Sequence, residues 1–271
     1  MNLSTFLSII FTSFIELGSL VGVLLLVGFV LGILERYSTL YLTRAFGIKG
    51  VLFTAWIGTP IHEIGHLIQC FIWGHKVTRV KLLQLNSSNG VLGYVEHQYN
   101  KHSLYQQVGL FFIGLGPIFS GIGAIILGMY WLLPETYRSV RSSIFQGSTI
   151  EASHLINTLG DTLLLLTKNL FTFENILNPM FWIFLLLAIS ISSHIALSKA
   201  DIQGASKGLI ALFFMLILFN VIAGLLGFNS QEIIGKIARY NVYVLVFSSI
   251  ALLFSLLTFV FSYLLYRWKV R

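Results

Sequence analysis

Long apolar runs, each nearly free of charge, recur along the chain: Leu17 to Leu34, Val51 to Trp73, Leu110 to Leu133, Met180 to Leu197, Leu209 to Phe228 and Val242 to Tyr266. A bilayer core about 30 Å thick takes about 20 mainly apolar residues per helix, so the pattern predicts an all-α polytopic membrane protein with about six transmembrane helices. The second run differs from the rest because His62, Glu63 and His66 interrupt it. Between the second and third runs the period changes. In Val77 to Gln98, β-formers (Val80, Leu82, Leu85, Val91, Tyr94, Val95) flank Asn86-Ser87-Ser88-Asn89-Gly90, which predicts a small β-hairpin closed by a Gly-containing turn, with a plain interfacial loop as the competing reading. The connection from Pro134 to Pro179 is too long for a structureless loop, and its Leu155-to-Phe171 stretch has helical apolar spacing. One or two amphipathic helices on or dipping into the membrane are expected there. No internal repeat suggests an inverted-repeat transporter.

Composition agrees with this picture: 56% of residues are hydrophobic and 10% charged, against about a quarter charged in soluble domains. The net charge of +7 is scattered through loops and the C-terminus (Arg267, Lys269, Arg271). That distribution suits anionic lipid headgroups and not nucleic acid. No Lys or Arg precedes the first apolar run and no small-residue cleavage pattern follows it, so the run reads as a retained helix. The single cysteine, Cys70, excludes an intrachain disulfide. With Lys76, Arg79, Lys81, Lys101 and the basic C-terminus on the cytoplasmic side, six crossings also place the N-terminus there.

The interrupted run contains Pro60-Ile61-His62-Glu63-Ile64-Gly65-His66-Leu67-Ile68, a His-Glu-x-x-His motif. On a helix His62 and His66 share a face, so both imidazoles can reach one metal ion, while Glu63 can take a proton from water. Imidazole ligands suit Zn2+. The bland reading is a helix whose histidines only make interhelical hydrogen bonds. Three ionisable residues within five positions of a span are costly unless they have partners or a function, and this favours a metal. Pro60 removes the N–H that the Trp56 carbonyl would accept, either to open a pocket or for packing alone.

A hydrolytic zinc site usually takes a third ligand from His, Asp or Glu. Of the ten acidic residues only Glu16, Glu63 and Asp201 lie within or at the end of an apolar run. Asp201, closing the fourth, is the leading candidate. His194, seven residues earlier on nearly the same helical face, is its rival as ligand, and otherwise a second donor or a packing histidine. The competing reading pairs Asp201 with Lys199 or Lys207 at the membrane surface. Glu16 is expected at a helix end or facing the bundle.

Residues 51 to 204 resemble the site-2 protease family of intramembrane zinc metalloproteases. The resemblance rests on His62-Glu63-Ile64-Gly65-His66, on Gly114-Leu115-Gly116-Pro117, similar to that family's Gly-Pro element, and on the Asp201 helix. It implies a three-helix catalytic core at 51–204, a first helix and loop at 1–50, and two C-terminal helices at 205–271. It further implies zinc on His62, His66 and Asp201, Glu63 as general base, and cleavage of a partner protein's transmembrane helix near the cytosolic face of a bacterial cell membrane. Members often carry a β-hairpin after the zinc helix that receives unwound substrate as an added strand. One departure is that Asp201 is followed by Ile202 and Gln203, with Gly204 three residues on, where the family usually has an Asp-Gly pair. Two other functions stay open: a membrane zinc amidase acting on a lipid, which calls for a deep apolar acyl pocket, and a non-catalytic relative that binds membrane helices as adaptor or chaperone.

Overall fold

The computed structural model describes residues 3–85, 90–146 and 155–269. A helix α1 (Leu3–Phe46) leads into α2 (Ile48–Ile72), followed by strands β1 (Lys76–Lys81) and β2 (Tyr94–Gln98). Then come α3 (Leu104–Gly114), α4 (Gly116–Leu132), α5 (Pro134–Gln146), α6 (Leu155–Leu170), α7 (Phe173–Leu177), α8 (Pro179–Ser192), α9 (Lys199–Leu226), α10 (Ser230–Ala238) and α11 (Asn241–Lys269). Three units are long and apolar enough to cross a membrane: α1, α9, and α10 with α11 taken as Ser230–Lys269. The pair α3 and α4, bent by 52° at Leu115, makes a fourth if counted as one crossing. Large apolar side chains on these helices face outward, among them Phe29, Phe214, Leu225 and Leu226, as a lipid-facing surface requires. The chain is a mainly helical membrane protein with one small sheet.

The first apolar run ends at Leu34, but α1 continues through Glu35 to Phe46, since no helix breaker intervenes before Gly47. The fourth run behaves oppositely. Helix α8 stops at Ser192 and is only 14 residues long, which spans about 21 Å at 1.5 Å per residue. Near this end the Ser192 and Ser193 hydroxyls bond back to the Ile189 carbonyl, and the chain then continues without regular structure until Ser198 caps α9.

The hairpin forms as an antiparallel pair with Val80 opposite Val95 and Lys81 opposite Tyr94. Its strands are shorter than expected: Leu82, Leu85 and Val91 lie beyond them, although the Gln84 amide still donates to the Leu92 carbonyl at 2.7 Å. The expected turn at residues 86–89 lies outside the described residues. In the 134–179 connection, α6 coincides with the predicted helical stretch and buries Leu166 and Leu170 fully.

Helix α2 packs against α4, α8, α1 and α3. Close approach is possible because two glycines face each other: a Cβ on Gly65 would collide with the Gly116 carbonyl, and one on Gly116 with the Gly65 backbone. Small residues at such a crossing let two membrane helices touch backbone to backbone. This contact lies beside the residues of the His-Glu-x-x-His motif.

Candidate metal centre

His62 and His66 lie one turn apart on α2, and Asp201 enters from the first turn of α9. Their ligand atoms all fall within 4.8 Å of one another. The two Nε2 atoms are 3.2 Å apart, His66 Nε2 is 3.1 Å from Asp201 Oδ1, and His62 Nε2 is 3.6 Å from Asp201 Oδ2.

Backbone carbonyls decide which ring nitrogens are available. His62 Nδ1 lies 2.7 Å from the His194 carbonyl oxygen, and His66 Nδ1 lies 2.7 Å from that of Ile113. A carbonyl only accepts, so both Nδ1 atoms carry protons, and in neutral rings both Nε2 atoms are lone pairs. Two lone pairs and a carboxylate converging on one point need a proton or a cation between them. At zinc–ligand distances of about 2.0–2.1 Å, adjacent ligands of a tetrahedral ion stand ~3.3 Å apart, and the observed spacings fit that value.

Neither carbonyl is taken by the amide four residues on, for local reasons. In α3 the Ile113 carbonyl would accept from the amide of residue 117, but Pro117 has no N–H. The Gly114-Leu115-Gly116-Pro117 break thus releases the acceptor that orients His66. His194 lies in the irregular 193–198 segment, where its own Nε2 pairs with Thr54 Oγ1 at 3.0 Å. It therefore supplies a backbone carbonyl to His62 and keeps its ring on a threonine. Asp201 is fixed in turn by a capping box: its Oδ2 accepts the Ser198 amide at 2.7 Å, while Ser198 Oγ accepts the Asp201 amide.

Glu63 is 6% exposed, and its carboxylate makes no hydrogen bond to protein among the described residues. It borders a cavity of about 690 Å³ that also holds His62, His66, Asp201 and the Gly90–Val95 stretch leading into β2. Gly93 explains how that stretch comes so near: a Cβ there would stand 2.8 Å from Glu63 Cγ and 3.0 Å from its Oε1.

Two lining residues escape sequence reasoning, Glu35 and His97. Glu35 Oε2 accepts the Ala196 amide at 2.7 Å, tying α1 to the 193–198 segment. The apparent end of the first apolar run at Leu34 hides it. Glu16, by contrast, faces the bundle far from this site, accepting from Asn220 Nδ2 at 2.6 Å. No protein-family model, curated protein or solved structure matches the chain.

Proposed function

We propose that the protein is an intramembrane zinc metalloprotease that hydrolyses peptide bonds in or next to transmembrane segments of membrane proteins. The observation that carries this reading is the convergence of two Nε2 lone pairs and one carboxylate, at tetrahedral spacing, beside the buried Glu63 carboxylate, which makes no hydrogen bond among the described residues. His62, His66 and Asp201 would hold the ion. When bound, zinc supplies Lewis acidity, which lowers the pKa of water and polarises a carbonyl toward attack. Glu63 takes the proton of the attacking water and returns it to the departing amine. The substrate helix has to unwind first, because its carbonyls are already hydrogen-bonded. The Gly90–Val95 stretch borders the cavity and suits an extended substrate segment. The proposal includes a site that faces the cytoplasm; the expected six crossings do not fit it, because α1 and α11 run in the same direction, Asn241 meeting Ser19 and Tyr266 meeting Tyr41, which puts the start of α1 and the end of α11 at opposite faces.

The lipid amidase reading finds less support. A separate apolar cavity of about 610 Å³, bordered by Leu24, Phe119, Ile122 and Met129, shares no lining residue with the site. An adaptor role would leave the unpaired Glu63 without purpose.

Metal analysis of the purified protein, run beside cleavage of a membrane-embedded reporter, tests the proposal. His62→Ala or His66→Ala should abolish stoichiometric zinc. Glu63→Gln should keep zinc and lose hydrolysis. Asp201→Ala should deplete zinc more than His194→Ala, since the His194 ring is engaged by Thr54. Full activity in Glu63→Gln would remove the base, and zinc retained in both histidine variants would remove the metal site.

A further inference from the structure

His97 lines the same cavity from β2, and none of the chemistry above uses it. Its protonation pattern follows from a short relay. His75, 4% exposed, places Nε2 2.8 Å from the Gln106 carbonyl oxygen, so that nitrogen carries the proton. The neutral ring then has a lone pair on Nδ1. His97 Nδ1 lies 3.0 Å from this atom and must be the donor. A neutral His97 is thereby left with its lone pair on Nε2. Tyr99 stacks on the His75 ring with centroids 5.2 Å apart and planes at 17°, which holds the relay in place. Burial, then the neighbouring His75 and His66, push His97 down to about 4, so the ring is neutral at pH 7.

A histidine that only packs is satisfied at both nitrogens, as His75 is. His97 Nε2 meets no protein group among the described residues, although the residue borders the cavity. What it lacks is a donor. An unwound peptide brings such donors, because each backbone N–H released from a helix needs a new acceptor. The ion and Glu63 act on the carbonyl side of a peptide unit and leave neighbouring N–H groups unmatched.

We propose that His97 is a substrate-binding residue, accepting a backbone N–H of the unwound segment at Nε2, with its tautomer set by His75 and the Gln106 carbonyl. The substrate part of this proposal rests on the protease reading; the tautomer does not.

The test uses the full zinc-loaded chain in lipid bilayers. Solid-state NMR with 15N-labelled histidine, assigned by difference from His97→Gln, should show His97 protonated at Nδ1 and bare at Nε2. The opposite tautomer, or a doubly protonated ring at pH 7, overturns the proposal and leaves the protease reading untouched. Affinity is then measured on a Glu63→Gln background for a synthetic single-span peptide with a central Gly-Pro break. His97→Ala should weaken binding about three- to tenfold, the worth of one neutral hydrogen bond. His97→Gln, which keeps an acceptor, should recover most of it. His75→Phe keeps a ring against Tyr99 but removes the lone pair that fixes the tautomer, and should weaken binding by a smaller factor. Unchanged affinity in His97→Ala at full zinc occupancy overturns the role of His97 alone. No binding by the parent protein overturns the protease reading and this proposal together.

Discussion

His62 and His66 each donate from Nδ1 to a carbonyl that its own helix has released, one by Pro117 and the other by the early end of α8. The same logic extends one step outward to Glu35. Its carboxylate holds the Ala196 amide, two residues after His194 and two before Ser198, so it braces the segment that orients His62 and caps Asp201. Glu35→Ala leaves that buried amide unpaired, at a cost of roughly 1–3 kcal/mol. Groups that orient ligands typically change metal affinity by about 10- to 100-fold when removed. Glu35→Ala should therefore weaken zinc binding by about tenfold or more in competition with a chelator. Glu35→Gln keeps an acceptor for Ala196 and should lose much less. Equal zinc affinity in the parent and Glu35→Ala would remove the bracing role.

At the scale of elements, the hold of the hairpin on the site depends on pH. Burial lowers His75 below its usual value near 6.5, with the Gln106 carbonyl opposing, and burial with the His75 charge lowers His97 to about 4. The facing groups named by the structure are His75, His97, Tyr99 and, more distantly, His66. Because the folded values are depressed, the unfolded hairpin binds more protons between about pH 6.5 and pH 4, and stability rises with pH across that window. Hydrogen exchange should show β1 and β2 protection intact above pH 6.5 and falling progressively toward pH 4, while α11 stays protected. A His75→Phe, His97→Gln variant should flatten the profile; the same acid loss in that variant would assign it to other groups. The elements also divide by how far the sequence reveals them. The His-Glu-x-x-His helix and the hairpin were legible because each is a local pattern of polarity, whereas Asp201, expected to close the fourth apolar run on one helical face with His194, instead opens α9, and His194 lies in the irregular segment before it. Glu35, His97 and the Ile113 carbonyl were not, since they reach the cavity only through packing of α1, β2 and α3 around α2. The run from Met180 to Leu197 read as one helix because hydropathy does not register the Ser192 and Ser193 back-bonds or the backbone groups of 193–198 that serve the site. Irregular backbone at that position is tolerated because it lines a cavity.

Across the whole molecule, two buried polar layers are joined by the same pair of helices. Glu16 on α1 meets Asn220 on α9, with Ser13 and Ser230 closing the cluster. Glu35 on α1 belongs to the same cavity as Asp201 on α9. Nineteen residues separate the two layers on each helix, a rise of ~28 Å, close to the hydrocarbon thickness of about 30 Å. The site therefore lies toward one membrane face and the Asn220 cluster toward the other. Aromatic and basic residues mark the site end. Tyr41 of α1 packs with Tyr263 and Tyr266 of α11, and Tyr37 with Tyr41 and Phe259, as rings at a headgroup boundary do. Arg36, Arg44, Lys199, Arg267 and Lys269 gather at that end of their helices, while Lys236 and Arg239 lie at the other and Arg141 borders the cavity of Leu24 and Val244 in that half. By the positive-inside rule this bias is consistent with the proposed orientation, the site toward the cytoplasm. Single-cysteine labelling checks this, because the native Cys70 is buried and gives a silent background. Lys199→Cys, at the exposed start of α9, should resist a membrane-impermeant maleimide in intact cells and react once the membrane is opened. Gln231→Cys, exposed on α10 beside the Asn220 cluster, should react in intact cells. Both positions labelling from the same side would place the two layers at one face and break the spanning arrangement. Reversed sides would keep that arrangement and turn the site outward.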